Sequence, residues 1–455
     1  MSGEERAASG SAAPGPAAAL DAGPVDPDEL RRLARRRFFR SFAADAMKTA
    51  ATVVGAAGAL RDGSVEMASA ILGTADATGS PAGAGARPAG GTTAAFRSAF
   101  RYEPDRVVLL DQRRLPDELS EVDCLTGSDV AQAIRDSVVR GAPLLGQVAA
   151  CGIALTANRS MEASPSARRS ILFGTANALR NAAPIAAPVR NAMDRMLARY
   201  AAIGDLDGDG PRVAALLRQE AEAIIGEATM AHAGLASHGA AFFLASVPPG
   251  DGETLRILTI GSTGALAGGQ VGTALAIVAA LRDAGRPVEV LVAESRPWLA
   301  GARLVAWELV QAGIPFVLVS DGAAAGLLGT GAADAVLVGA DSIARDGDVA
   351  GDPGSYGLAA VAARRAVPFV VAAPLITCDG EAADGHALRA APRPPEEVLV
   401  VRGVRLAPEG TVARNPSVDV IPSDLVTAVV TEAGVFAAPY AAMLAAAADR
   451  SRAGA

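Results

Sequence analysis

Between residues 255 and 373, short apolar runs alternate with helical stretches. LRILTI, VEVLVA, PFVLV, DAVLV and PFVVAA are continuous and rich in β-branched residues. Runs of this kind belong to strands covered on both faces, and the stretches between them suit crossover helices. The alternation predicts a parallel sheet inside an α/β architecture. Ligands of such sheets bind beyond the carboxyl ends of the strands. The loops to inspect are therefore 261–273, 294–301, 320–323, 339–355 and 374–379.

Upstream the pattern changes. Val107–Leu110 is a short apolar strand that leaves into the turn DQRRLP. Residues 128–157 read as buried helix, interrupted by RGAP at 140–143. Residues 165–246 are Ala-rich and helical, with a DLDGDG loop at 205–210. That loop carries three aspartates but lacks the distal glutamate of a calcium-binding hand, so it reads as a solvated turn. The segment GSTGALAGGQVGT follows the first strand of the sheet directly. Its small residues let backbone N–H groups approach an anion at a helix start. They equally suit a tight strand-to-helix turn that needs glycine for geometry alone. The spacing is not the dinucleotide fingerprint, and no acid follows in the expected place.

The first ninety-odd residues differ again. Residues 1–25 are rich in Ala, Gly, Pro and Ser, a composition expected to stay disordered. Asp26, Pro27 and Glu29 then form a helix-start signature, opening a helical appendage over 26–75. Arg35, Arg36, Phe38 and Phe39 resemble a twin-arginine export signal, but Asp45 and Lys48 interrupt an apolar stretch already too short to span a bilayer. An amphipathic helix packing on the body or on a partner subunit is the expected role. Residues 76–97 form a Gly/Pro/Ala linker. The expected organisation continues with a mainly helical domain over 98–250, a sheet domain over 251–442 and a tail over 443–455.

Composition narrows the function classes. A chain of 455 residues predicts two or three units, and 51% hydrophobic residues suffice for a sizeable core. The net charge of −8, with only 4% aromatics, argues against nucleic acid and anionic membrane as partners. Cys124, Cys151 and Cys378 lie far apart, as do the three histidines from any ligand-like spacing, so neither a metal site nor a disulfide framework is expected. Sparse, odd cysteines suit a reducing cytoplasmic setting.

Five segments, in order, carry a family resemblance: VVRGAPLLGQVAACGIAL, TGALAGGQVGTAL, ESRPWLAGARLVAWELVQAGIP, VGADSIARDGDVA and NPSVDVIPSDLVTAVVTEAG. Over about residues 98–442 the chain resembles the methylthioribose-1-phosphate isomerases, ribose-1,5-bisphosphate isomerases and initiation-factor-2B regulatory subunits. The resemblance implies a helical N-terminal domain joined to a Rossmann-like C-terminal domain, usually as a homodimer. It implies an aldose–ketose isomerisation of a sugar phosphate or related derivative, as in methionine salvage, with no cofactor. Such chemistry needs an acid/base carboxyl in a dry site, a second polar group beside the reacting carbons, and cations for the phosphate.

Carried over residue by residue, Asp341 matches the catalytic aspartate, with a turn-capping carboxylate as the plain alternative. Arg140, Gly141 and Ala142 match the loop that holds the substrate phosphate, with a buried structural arginine as the alternative. Thr263 and Gly264, on the Gly-rich loop, complete the expected substrate contacts.

Several positions depart from the family. Gly261 stands where the isomerases have a cysteine, and Ile260 where a histidine precedes it. Ala300 replaces a glutamine, Gly351 and Asp352 replace an asparagine–lysine pair, and Ala183–Pro184 replaces an arginine–proline step. Two cations leave and one carboxylate arrives. At roughly 5 Å and an effective dielectric near 20, each unit of charge is worth on the order of 3 kcal/mol. Ordinary methylthioribose-1-phosphate isomerase activity is therefore not expected. Three readings follow: a diverged isomerase using Asp341, a catalytically inactive protein that senses a sugar phosphate or nucleotide, and an interaction protein whose N-terminal helix recruits a partner.

Overall fold

The computed structural model describes residues 98–248 and 253–446. The expected disordered start, helical appendage and linker of residues 1–97 lie outside the described residues.

The described chain opens with an antiparallel sheet of β1 (Phe100–Tyr102), β2 (Val107–Leu110) and β3 (Glu121–Cys124). Five helices follow: α1 (Gly127–Arg135), α2 (Ala142–Arg159), α3 (Pro165–Ala182), α4 (Ala187–Ile203) and α5 (Gly210–Ser246). Thr126 and Asp129 cap α1 reciprocally, each side chain bonding the other's backbone N–H. Fourteen of the eighteen residues of α2 are buried, seven of them alanine or glycine, which lets its neighbours close on it from several sides. RGAP, the interruption expected inside one helix, is the joint between α1 and α2. The DLDGDG loop is a turn whose first aspartate faces inward: Asp205 accepts from the buried Arg168 guanidinium at 2.5 Å and from the Tyr200 hydroxyl at 2.8 Å.

The second half is the expected α/β fold. It comprises β4 (Leu255–Thr259), the one-turn α6 (Ala265–Gly268), α7 (Ala274–Asp283), β5 (Val288–Ala293), α8 (Ala306–Ala312), β6 (Phe316–Val319), α9 (Asp321–Gly329) and β7 (Ala335–Val338). After β8 (Ser342–Ile343) and β9 (Val349–Gly351) come α10 (Ser355–Arg365), β10 (Phe369–Ala372) and α11 (Glu396–Leu399). The hairpin β11 (Val400–Val401) and β12 (Val404–Arg405) precedes β13 (Asp419–Ile421), β14 (Ala428–Thr431) and β15 (Gly434–Phe436).

The large sheet runs β15-β14-β10-β7-β4-β5-β6, parallel except for β15. From β4 the chain moves outward through β5 and β6 on one side, and from β7 through β10 and β14 on the other. The winding therefore reverses between β4 and β7, which opens a crevice at their carboxyl ends. All five apolar runs read from the sequence form strands of this sheet. The sixth parallel strand, β14, comes from the resemblance segment rather than from a run singled out by its pattern. Met443 is fully buried against the core around β10 and β14. Leu444 and Ala446 pack against the same core, so the body reaches residue 446, inside the expected tail.

Candidate active site

A pocket open in part to solvent lies in the crevice. Its wall joins both halves of the described chain. The loop after β4 gives Ile260, Ser262 and Thr263, β7 runs into Ala340 and Asp341, and the start of α2 brings Arg140, Gly141 and Ala142. Gly351, Asp352 and Ser355 close the far side.

Arg140 is held by its backbone and by its side chain. Its N–H donates to Gln112 Oε1 at 3.1 Å, and the buried Gln112 in turn donates to the Leu266 carbonyl at 2.8 Å. The guanidinium lies over Trp298, 4.6 Å from the ring centre, and 4.0 Å from the Asp352 carboxylate. Burial lowers the Arg140 pKa, while Asp352 and Asp341 oppose that shift. Gly141, at φ +105°, is a position only glycine fills, because an added β-carbon would lie 2.5 Å from the Ala267 backbone.

Asp341 is the third residue past the end of β7. Its N–H donates to the Ala350 carbonyl at 2.9 Å, and its carbonyl accepts from Ala187 N at 3.3 Å. The residue itself is half-buried against the pocket, yet the surroundings push its carboxyl up to about 7. Desolvation is the main cause, the neighbouring Asp352 adds to it, and Arg140 works against it. A carboxyl with this value holds its proton at mildly acid pH and exchanges it near neutrality, as a general acid/base group must.

The structure thus gathers Asp341, Arg140, Gly141, Ala142 and Thr263 in one pocket. Gly264 is not among its lining residues. A β-carbon there would lie 2.1 Å from Glu308 Oε2, and Glu308 accepts from Ala265 N at 2.6 Å and Leu266 N at 3.4 Å. The first N–H groups of α6 are therefore taken by the protein's own carboxylate. Of the two readings of the Gly-rich loop, packing accounts for Gly264, while Ser262 and Thr263 face the pocket. Sequence reasoning missed Glu308, although a lone acid inside VAWELV was a signal. It also missed Trp298, which lies in the flagged loop 294–301.

The profile of the Initiation factor 2 subunit family matches residues 138–438. Over 344 residues the chain is 43% identical to the methylthioribose-1-phosphate isomerase of Chloroflexus aurantiacus, covering 75% of this chain and 96% of that protein. It is 41% identical over 356 residues to the enzyme of the same name from Roseiflexus sp., covering 77% and 98%. The crystal structure of 5-methylthioribose 1-phosphate isomerase from Pyrococcus horikoshii OT3 superposes with a TM-score of 0.67 at 32% identity, covering 78% and 96%. Translation initiation factor eIF-2B subunit delta from A. fulgidus gives 0.62 at 31%, covering 77% and 99%. The chain belongs to this isomerase and initiation-factor-2B family.

The positions at which the resemblance led us to expect departures now have places. Ile260, Gly351 and Asp352 line the pocket. Ala300 sits in a separate apolar cluster with Leu110, Leu115, Leu266 and Leu304, which a glutamine would have to penetrate. Ala183 ends α3, just before the segment whose Ile185 and Ala187 bond Ser342 beside Asp341. Of the arginines near this step, Arg190 pairs with the buried Asp379 at 2.5 Å, and Arg180 with Asp194. Neither is among the pocket's lining residues. Cys378 offers no replacement thiolate, since burial pushes its thiol up to about 12.

Proposed function

We propose that the protein is a diverged aldose–ketose isomerase of the methylthioribose-1-phosphate isomerase type, acting on a sugar phosphate or a related sugar derivative. The observation that carries this reading is the meeting of Asp341 and Arg140 in one pocket, with the Asp341 carboxyl pushed up to about 7. Asp341 would exchange a proton with the sugar oxygens while hydrogen passes between C2 and C1. Arg140, held over Trp298, would bind an oxyanion or hydroxyl pair of the substrate, with Ser262 and Thr263 beside it. Gly141 and Ala142 would form the floor. No cofactor is required by this chemistry. The reading also carries the two-domain organisation, a helical appendage before residue 76, a homodimer and a cytoplasmic setting.

A thermal-shift survey of aldose 1-phosphates and their uncharged analogues, followed by a ketose assay on each hit, tests it. Turnover that disappears in Asp341→Asn supports the reading. Ligand binding without turnover by the wild-type protein would instead favour a sensor. The absent thiol at Gly261 is the specific observation on that side.

A further inference from the structure

Gly261 and Asp352 are far apart in sequence and fit together in space. Gly261 has φ +87°, and a β-carbon built on it would lie 2.1 Å from Asp352 Oδ2. The carboxyl therefore stands in the volume that any side chain at 261 would enter. Each residue is a departure from the family taken singly; together they are one exchange, a side chain removed on one wall and an acid entering from the other. We propose that Asp352 is the second proton-transfer group of this site, its carboxyl seated in the space that glycine leaves open. The proposal rests on the isomerase reading above and names the group that works with Asp341.

The charges around Asp352 support two distinct roles. Arg140 faces it at 4.0 Å, while Asp341 lines the same pocket with its carboxyl pushed up by burial and by Asp352 itself. Arg393 and Glu397, beyond Arg140, pair with each other at 2.6 Å and 2.8 Å. Asp419, beneath the loop that follows Asp352, is engaged by Gly354 N at 2.8 Å and Tyr356 N at 3.0 Å. Two carboxyls that line one pocket with an arginine are the arrangement in which one serves as acid and the other as base.

The step then balances. The bond from C1 to the ring oxygen breaks with its electron pair left on oxygen, which takes the proton held by Asp341. Hydrogen moves with its electron pair from C2 to C1. Asp352 takes the C2 hydroxyl proton as the C2 carbonyl forms. The substrate gains one proton and loses one, and the site resets when the proton returns from Asp352 to Asp341.

Carboxyl 13C titration of the full-length protein without substrate, combined with steady-state kinetics on the best aldose, is the test. The Asp341 resonance, identified by its loss in Asp341→Asn, titrates near neutrality in the wild type and at lower pH in Asp352→Asn. Gly261→Ala moves it in the same direction by displacing the carboxyl. Asp352→Asn lowers kcat at least about 100-fold, changes KM less, and moves the alkaline limb of the pH profile to lower pH. An Asp341 titration unchanged in Asp352→Asn overturns the proposal, whatever Gly261→Ala does to folding. Wild-type turnover kept at full rate in Asp352→Asn overturns it alone. Wild-type protein that turns over no aldose sinks the isomerase reading, and the proton-transfer role falls with it.

Discussion

The Arg140 guanidinium lies 4.6 Å from the centre of the Trp298 ring. Two distant loops meet in this contact, the joint before α2 and the loop after β5. Arg303 also lies over Trp298, at 5.1 Å, and donates to the carbonyls of Gln112 and Leu115 at 3.0 Å. The ring therefore links the pocket's cation to the strand-and-turn region that holds Arg140's own backbone. A cation–π contact of this kind is worth about 0.5–2 kcal/mol.

Replacing Trp298 by leucine keeps a smaller apolar side chain and removes the π face together with the indole bond to Glu397. Substrate affinity is expected to fall about 2- to 30-fold on the range for that contact, with little change in melting temperature. Calorimetric titration of Trp298→Leu with the best-binding sugar checks this. Unchanged affinity means the ring does not hold Arg140 for binding.

Asp341→Asn preserves shape and removes the exchangeable proton. A general acid/base group contributes roughly 100- to 10,000-fold, so turnover should fall by that order while binding survives. The ratio of kcat values, with circular dichroism to confirm the fold, decides the matter.

Asp352 sets the charge beside Arg140. At about 4 Å and an effective dielectric near 20, one unit charge is worth about 4 kcal/mol, and the one-third exposure of the Asp352 side chain calls for a heavy discount. Asp352→Lys should therefore tighten inorganic phosphate by tenfold or more, measured as Kd at low salt. An unaltered Kd would show that the pocket's anion affinity is set elsewhere.

Glu308 is fully buried, and burial pushes its carboxyl up to about 8 against the two N–H groups it accepts. Its folded-state pKa is raised above the unfolded value of about 4.3. The stability it contributes is thus fully present below that unfolded value and is lost as pH rises towards 8. Asp341 acts in the same sense up to about 7. In Glu308→Gln the fall in melting temperature between about pH 5 and pH 8 should shrink. An identical slope in wild type and variant would remove Glu308 as its source.

Arg168 and Asp205 are both nearly inaccessible, and their side chains bond at 2.5 Å. Taking away one partner of a buried pair leaves an uncompensated charge, at a cost of about 3–5 kcal/mol. Arg168→Met should lose that much in urea unfolding. A loss below about 1 kcal/mol would mean water reaches the pair.

Much of the fold is legible in the chain because its causes are local. The five apolar runs within 255–373 carry at most one charged residue each, at or next to the start, and burial of β4, β5, β7 and β10 favours that pattern, whereas the edge strand β6 leaves Val317 and Leu318 exposed. The joint at RGAP follows from glycine and proline at a helix boundary. The departures expected at Gly261, Ala300, Gly351 and Asp352 likewise come from reading the motifs that carry the resemblance. What the sequence could not give is their relative position. Ala300 and Asp352 look like equal losses from one site, yet Ala300 belongs to an apolar cluster and Asp352 lines the pocket. Gly264 looks like its neighbour Thr263, yet it faces Glu308 from the next helix.

The sequence by itself determined five strands of the large sheet, the main helical stretches, the family and the identity of every acid and base available. Only the tertiary structure decided which of them share a solvent. Proton affinity and charge pairing depend on distances of a few ångströms between residues about ninety to two hundred positions apart. No periodicity records the seat of Asp352 over Gly261, or of Arg140 over Trp298, because neither pair is close in the chain.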